Sequence, residues 1–197
     1  FADYTYARKG FSLNTGISGK YTYYKQGSND YKRFNPQPRL LTQYKFKNNM
    51  ILRYRFNMEV SSPSLSDLNN IEQEMDEWQI KRGNPYLKNS TGYSQSLMYS
   101  YNNPYFGIEL IGAYTYADNP IYETIFLENN RIVNTIENQK NWQRIQVQST
   151  FNIHPFGKYI SLQIRPRFSR YIMHGNHYTH TYNNWAVYAT LVASYNH

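Results

Sequence analysis

Short and long connections alternate along the chain, and the segments between them switch polar and apolar residues at every second position. Tight links are expected at Arg8-Lys9-Gly10, Lys47-Asn48-Asn49, Asn102-Asn103-Pro104 and from His154 to Lys158. Between them lie longer polar excursions, from Lys25 to Gln37, Ser61 to Ser90, Asp118 to Asn141 and Ile172 to Asn184. A period of two puts successive side chains on opposite faces of a strand. Tight links at one rim and long ones at the other are the arrangement of a membrane-spanning β-barrel, in which one side only closes hairpins while the other faces the outside. A soluble sandwich has no reason to keep that order.

The alternation can be read residue by residue. Phe11, Leu13, Thr15, Ile17, Gly19, Tyr21 and Tyr23 share one face, with Ser12, Asn14, Gly16, Ser18, Lys20 and Thr22 opposite. The next hairpin sets Leu40, Thr42, Tyr44, Phe46, Met50, Leu52, Tyr54, Phe56, Met58 and Val60 against Gln43, Lys45, Lys47, Arg53, Arg55, Asn57 and Glu59. Further on, Phe106, Ile108, Leu110, Tyr114 and Tyr116 oppose Glu109 and Thr115, and Ile145, Val147, Phe151 and Ile153 oppose Arg144, Gln146, Gln148, Thr150 and Asn152. The pattern predicts nine strands: 1–8, 11–24, 38–47, 50–60, 91–101, 105–117, 142–153, 159–171 and 185–195. Most are about ten residues or longer, enough for a tilted strand to cross a hydrocarbon layer of roughly 30 Å. The expected fold is all-β: an antiparallel transmembrane β-barrel, here an incomplete portion of about nine strands, because single-chain bacterial barrels close on even numbers. Ile121 to Ile136 is expected to add a β-hairpin outside the membrane.

Composition fits this reading. Hydrophobic content of 40% and a mean hydropathy of −0.78 exclude helical membrane spans, whereas barrel strands escape such scans because half their residues face water. Tyrosine occurs 22 times in 197 residues. Its apolar ring and polar tip suit the aromatic girdles of a membrane interface, although tyrosine is also simply a good strand former. Cysteine is absent, which removes disulfides, thiolate metal sites and thiol nucleophiles. The formal net charge of +8 invites a nucleic-acid partner, but Lys20, Lys45, Arg53, Arg55, Arg144, Arg165 and Arg167, with Glu109, fall on the predicted lumen face. No nucleic acid is therefore expected. A cationic lumen draws anionic solutes, unless carboxylates on further strands neutralise it.

From Ser61 to Tyr101 the chain carries a more specific pattern: Pro63 and Leu68 in a Pro-x-x-x-x-Leu stretch, then Gly83, Asn84, Pro85 and Leu87 in Gly-Asn-Pro-x-Leu before a new strand. Gly83 is expected to take a positive φ, Asn84 to be extended before proline, and Pro85 to stiffen re-entry into the strand. With these residues the chain resembles the outer-membrane β-barrel family of TonB-dependent receptors of Bacteroidetes-type bacteria. It departs from that pattern at Asn89, where the family's usual residue is proline. The resemblance implies a 22-stranded barrel with an N-terminal plug, energised by the inner-membrane TonB complex and located in the outer membrane of a Gram-negative bacterium. Residues 1–197 would then be part of one outer-membrane β-barrel domain, in contact with outer-membrane lipid, with the plug domain and remaining strands not present.

Function is expected to be import of a nutrient, anionic, metal-chelating or glycan in character. The alternatives are a passive or structural barrel without TonB coupling, and a soluble β-rich carbohydrate-binding module. Tyr178, Tyr182 and Trp185 are candidate ligand-stacking residues near the extracellular rim, or else girdle residues. His174, His177 and His180 recur every third residue and can in principle ligate a metal or haem iron, although solvated loop histidines read the same way. Neither a resident metal nor another cofactor is expected. The acidic run Glu72, Glu74, Asp76 and Glu77 is expected to lie on a short amphipathic helical turn, with Ile71, Met75 and Trp78 packing inward. No nucleophile elbow, zinc-protease motif or phosphate loop is present, so no enzymatic activity is expected. Pro166, inside a strand and without an N–H, predicts a register break near Arg165 to Phe168.

Overall fold

The computed structural model describes residues 2–26, 29–47, 49–155, 159–176 and 178–193. Nine strands form one antiparallel sheet in chain order: β1 (Ala2–Arg8), β2 (Phe11–Gln26), β3 (Asn29–Lys45), β4 (Met50–Ser61), β7 (Ser90–Asn102), β8 (Phe106–Asp118), β11 (Asn141–Ile153), β12 (Ile160–His174) and β13 (Thr179–Ala193). The four remaining strands, β5 (Gln73–Glu74), β6 (Gln79–Lys81), β9 (Ile121–Glu128) and β10 (Arg131–Asn138), form a second sheet in the order β5-β6-β10-β9. They lie in the β4–β7 and β8–β11 connections, so this small sheet is built by two loops joining each other. A short helix, α1 (Leu65–Leu68), opens the first of those loops.

The links at the closed rim owe their tightness to residues that tolerate positive φ. Lys9 (φ 44°) and Gly10 (φ 85°) make a two-residue turn of the kind that matches strand twist. A Cβ at Gly10 would stand 2.6 Å from the Lys45 carbonyl oxygen, and the Gly10 carbonyl accepts from Lys45 N at 2.8 Å. Asn103 Oδ1 accepts from Tyr105 N and Phe106 N at 2.9 and 2.8 Å, closing the β7–β8 link. Asn48 and residues 156–158 of the two other expected links lie outside the described residues. The predicted loop hairpin forms as β9 and β10, turning on Asn129 (φ 50°) and Asn130 (φ 60°).

Two of the four expected long excursions are not loops. β2 runs to Gln26 and β3 begins at Asn29, while β12 runs to His174 and β13 begins at Thr179. These strands have 15 to 17 residues, against the roughly 9 to 11 that a tilted strand needs to cross lipid. Strands of that length exceed what a hydrocarbon layer requires, so the parts farthest from the tight links need no apolar face and the alternation fades there. The register prediction at Pro166 is also corrected. Pairing of β12 with β13 runs unbroken through Pro166↔Val187, and on the β11 side Gln148↔Arg167 and Phe151↔Ile164 keep one register across an unpaired step at Ser149 and Thr150. Proline's missing donor is lost on one side only, so pairing lapses there without a slip.

Packing shows what solvent each face meets. Among the described residues the buried hydrophobic side chains are Val60, Leu68, Ile80, Leu87 and Val133, and the last four belong to the loops. Among the described residues Val60 is the one buried hydrophobic side chain of the main sheet. Its apolar residues, among them Trp185 (77% exposed), Val187, Leu191, Val147, Leu97 and Ile145, lie open along one face. An open apolar face running across nine long strands is what a hydrocarbon surround requires.

Candidate functional site

Strand register assigns every side chain of the main sheet to a face. Leu52, Tyr54, Phe56, Ile145 and Val147 fall on the apolar face, with Leu13, Leu97, Phe168 and Trp185 in a cross-strand row. Lys20, Lys45, Arg53, Arg55, Glu109, Arg144, Arg165 and Arg167 all fall on the other face. Within the paired segments that polar face holds nine cations, these seven with Arg33 and Arg39, and three carboxylates, Asp3, Glu59 and Glu109. Asp3 is taken up by an ion pair with Arg39, and Glu59 accepts from Asn57 Nδ2 at 2.8 Å.

Three of the remaining cations are held by neutral groups. Arg53 donates through Nε and Nη2 to Gln43 Oε1 at 3.0 and 2.7 Å, and Lys20 Nζ donates to the Val60 carbonyl at 3.1 Å. Arg144 Nη2 donates to Thr115 Oγ1 at 3.4 Å and its guanidinium lies 5.9 Å from the Trp142 ring centre, while its buried Nε has no partner. Neutral partners leave the positive charge of these arginines uncancelled, so the polar face attracts anions.

The aromatic candidates separate. Trp185 stands on the apolar face, in strand β13 rather than in a loop, its ring 4.3 Å from that of Phe168. Tyr182 stands on the polar face, stacked on Tyr171 at 4.5 Å and 8°, and Tyr171 continues to Trp142 at 6.2 Å. Tyr178 lies in the β12–β13 link and donates its hydroxyl to Met173 Sδ at 3.4 Å. Nearby, burial and then the phenols of Tyr178 and Tyr182 push the Tyr122 hydroxyl above its ordinary pKa. The histidines do not assemble: His174 and His180 fall on opposite faces of the sheet, and His177 lies outside the described residues.

Above the sheet, the two halves of the Pro63–Leu87 pattern grip each other. Ser64 caps α1 by accepting from Asp67 N, and the Asp67 carboxylate accepts from Ser64 N at 2.8 Å. The carbonyls of Asn69 and Asp67 then accept from Gly83 N at 2.8 Å and Asn84 N at 2.6 Å. A Cβ on Gly83 would lie 2.5 Å from both of those oxygens. Gly83 does not adopt the expected positive φ; glycine is required there by close backbone approach. Asn84 Nδ2 reaches the Ile136 carbonyl at 3.2 Å and its Oδ1 accepts from Tyr86 N at 3.0 Å, while Leu68 and Leu87 are buried under the clasp. At Asn89 the side chain is buried with neither polar atom paired.

The expected helical turn over Glu72–Trp78 is absent. Strands β5 and β6 occupy this stretch, Ile71, Met75 and Trp78 are exposed, and the carboxylates meet arginines from elsewhere: Glu72 with Arg82 at 3.1 Å and Glu74 with Arg131 at 3.1 Å. Arg82 also pairs with Glu128 at 2.9 Å. Between α1 and this small sheet is a cleft of about 330 Å³ whose lining includes Asp67, Ile71, Met75, Lys81, Glu123 and Ile136. Sequence reasoning did not find it, because its walls come from two loops distant in sequence.

A long-stranded antiparallel sheet with one face open and apolar, the other cationic, and most of its buried hydrophobic side chains among the described residues in the loops defines an outer-membrane β-barrel. The chain belongs to the outer membrane protein beta-barrel family, whose model matches residues 1–197. That places it in the outer membrane of a Gram-negative bacterium, in contact with membrane lipid, and sets aside the soluble carbohydrate-binding module. None of the curated proteins matches the chain.

Proposed function

We propose that this barrel imports a small anionic nutrient across the outer membrane as part of a TonB-dependent receptor. The observation that carries the reading is the charge of the polar face, nine cations against three carboxylates, with Arg53 and Arg144 held by neutral partners and Arg165 and Arg167 by no hydrogen bond or ion pair among the described residues. A low-dielectric wall lined with one sign of charge focuses the field and concentrates oppositely charged solutes. Energy coupling is supported by the Pro63–Leu87 pattern with its clasped loop, through which the chain resembles TonB-dependent receptors. The Tyr182–Tyr171–Trp142 row offers ring faces to a solute on the same wall. No catalytic step is assigned to it.

The test is uptake of labelled anionic and neutral solutes by cells that carry the gene, lack it, or carry it without a working inner-membrane energy source. Expected is anion uptake that needs both the gene and the energy source. Gene-dependent uptake that persists without energy would establish a passive barrel instead, and preference for neutral or cationic solutes would refute the anionic cargo.

A further inference from the structure

On the polar face, midway along β12, a recess of about 200 Å³ opens between Gln148, Arg165, Arg167 and Tyr188. Register explains its walls: Arg167 is opposite Gln148 on β11, and Arg165 is opposite Tyr188 on β13. Pro166 separates the two arginines, and the lapse in β11–β12 pairing at Ser149 and Thr150 lies beside them. Two residues along a strand amount to about 6.5 to 7 Å, and both side chains leave the same face, so one small molecule can meet both guanidinium groups.

What distinguishes this place is that two neighbouring arginines, an amide and a phenol line one recess and are all uncommitted. Arg53 is engaged by Gln43 and Arg144 by Thr115, but among the described residues Arg165, Arg167, Gln148 and Tyr188 make no side-chain hydrogen bond and no ion pair. Arg167 rests 5.9 Å from the centre of the Tyr188 ring, which holds the phenol at the edge of the recess. Glu109, the nearest carboxylate across the ladder, is separated from Arg165 by Thr150 and pairs with neither arginine. Two forked cations with an amide and a phenol at their side match a ligand with two oxyanionic groups, each taken by one guanidinium in parallel N–H···O bonds.

We infer that this recess is a binding site for a small dianion, a dicarboxylate or diphosphate group, on the barrel's inner wall. The inference rests on reading this face as the lining of a solute path, and it names the class of solute. The test measures direct binding by calorimetry to the full chain folded in detergent micelles, with glutarate and inorganic pyrophosphate as probes and acetate as the monoanion. Dianion binding is expected to exceed acetate binding and to fall by at least about tenfold in the R165Q/R167Q double variant, with loss of the bidentate charged bonds. The R53Q/R55Q double variant, which removes equal charge from the same face, is expected to stay within about threefold of wild type, because charge at a distance is screened.

Equal losses in the two double variants would show a diffuse field and no site, and wild-type binding by R165Q/R167Q would overturn the proposal outright. Should the glutamine pair fail to fold, R165K/R167K answers the same question. It keeps both charges and loses the forks, so weaker dianion binding is expected and unchanged binding refutes the geometry. Preference between glutarate and pyrophosphate identifies the dianion's source. Binding that behaves as expected in a barrel that imports nothing would refute the transport reading and leave the site standing.

Discussion

Replacing Gly83 by alanine tests whether this glycine serves conformation or proximity. Its φ is not in the left-handed region, so on backbone grounds alone alanine should be accommodated and, by restricting the unfolded chain, should stabilise by about 0.4 to 1 kcal/mol. Contact geometry predicts the opposite sign. The new methyl would meet the carbonyl oxygens of Asp67 and Asn69, each 2.5 Å away, and both are backbone atoms of the α1 region that cannot rotate aside. Relief requires α1 and the 83–84 backbone to part, which breaks the Gly83 N to Asn69 O and Asn84 N to Asp67 O bonds. At about 1 kcal/mol for each bond and up to 1 more for loosened burial of Leu68 and Leu87, the loop loses roughly 2 to 3 kcal/mol. Hydrogen exchange read by mass spectrometry on the folded barrel should show peptides covering residues 65–69 and 83–88 opening roughly 30- to 140-fold faster, at about 1.4 kcal/mol per decade. Gly112→Ala is the control, since nothing lies within 4 Å of a Cβ there, and it should be neutral or slightly stabilising. Protection at 83–88 equal to wild type, or increased, would refute the clasp as the reason for glycine.

Three further expectations follow from the same structure. Asn89→Pro removes two buried polar atoms that have no partner and should raise the thermal midpoint, the orphaned amide costing about 1 to 3 kcal/mol; a lower midpoint would show that the amide is satisfied in the membrane. With single-tryptophan variants in vesicles of brominated lipid, Trp185 fluorescence should be strongly quenched and Trp142 fluorescence little affected, since they occupy opposite faces; equal quenching would overturn the assignment of faces. The Tyr122 phenol, raised above its ordinary value of 10.0 by burial and then by Tyr178 and Tyr182, binds its proton more tightly folded than unfolded. Its contribution to stability is therefore complete below pH 10 and is lost as pH rises through the raised value, and Tyr122→Phe should remove a late component from the ultraviolet titration of phenolate.

Nine strands were legible because lipid on one side and water on the other impose a contrast at every second residue, and each predicted strand is found with its faces separated as read. Where that contrast stops, so did the reading. Beyond Tyr24 and Tyr171 the alternation is lost, with Lys25 and Gln26 both polar and Ile172 and Met173 both apolar, and continuing strand looks like loop. Ile71, Met75 and Trp78 have the spacing of a helical stripe, yet the carboxylates between them are claimed by Arg82 and Arg131, the latter from β10. A pattern counted within ten residues cannot include a partner almost sixty residues away.

The same division governs the site. Parity alone put Arg165 and Arg167 on one face, but whether they are free depends on what stands opposite, and that is a property of register across β11, β12 and β13. A shift of one residue in either pairing would have sent Gln148 or Tyr188 to the lipid side and closed the recess. Pro166 was readable as a disturbance, and its sign was misjudged because the cost of a missing donor depends on which neighbour it faces. On the β11 side it leaves an interruption between two arginines while the β13 ladder holds register, so the strand keeps its place in the wall with an opening beside its most concentrated free charge. The recess and the clasp thus have one origin: each is made by residues whose role is invisible until a distant segment is laid against them.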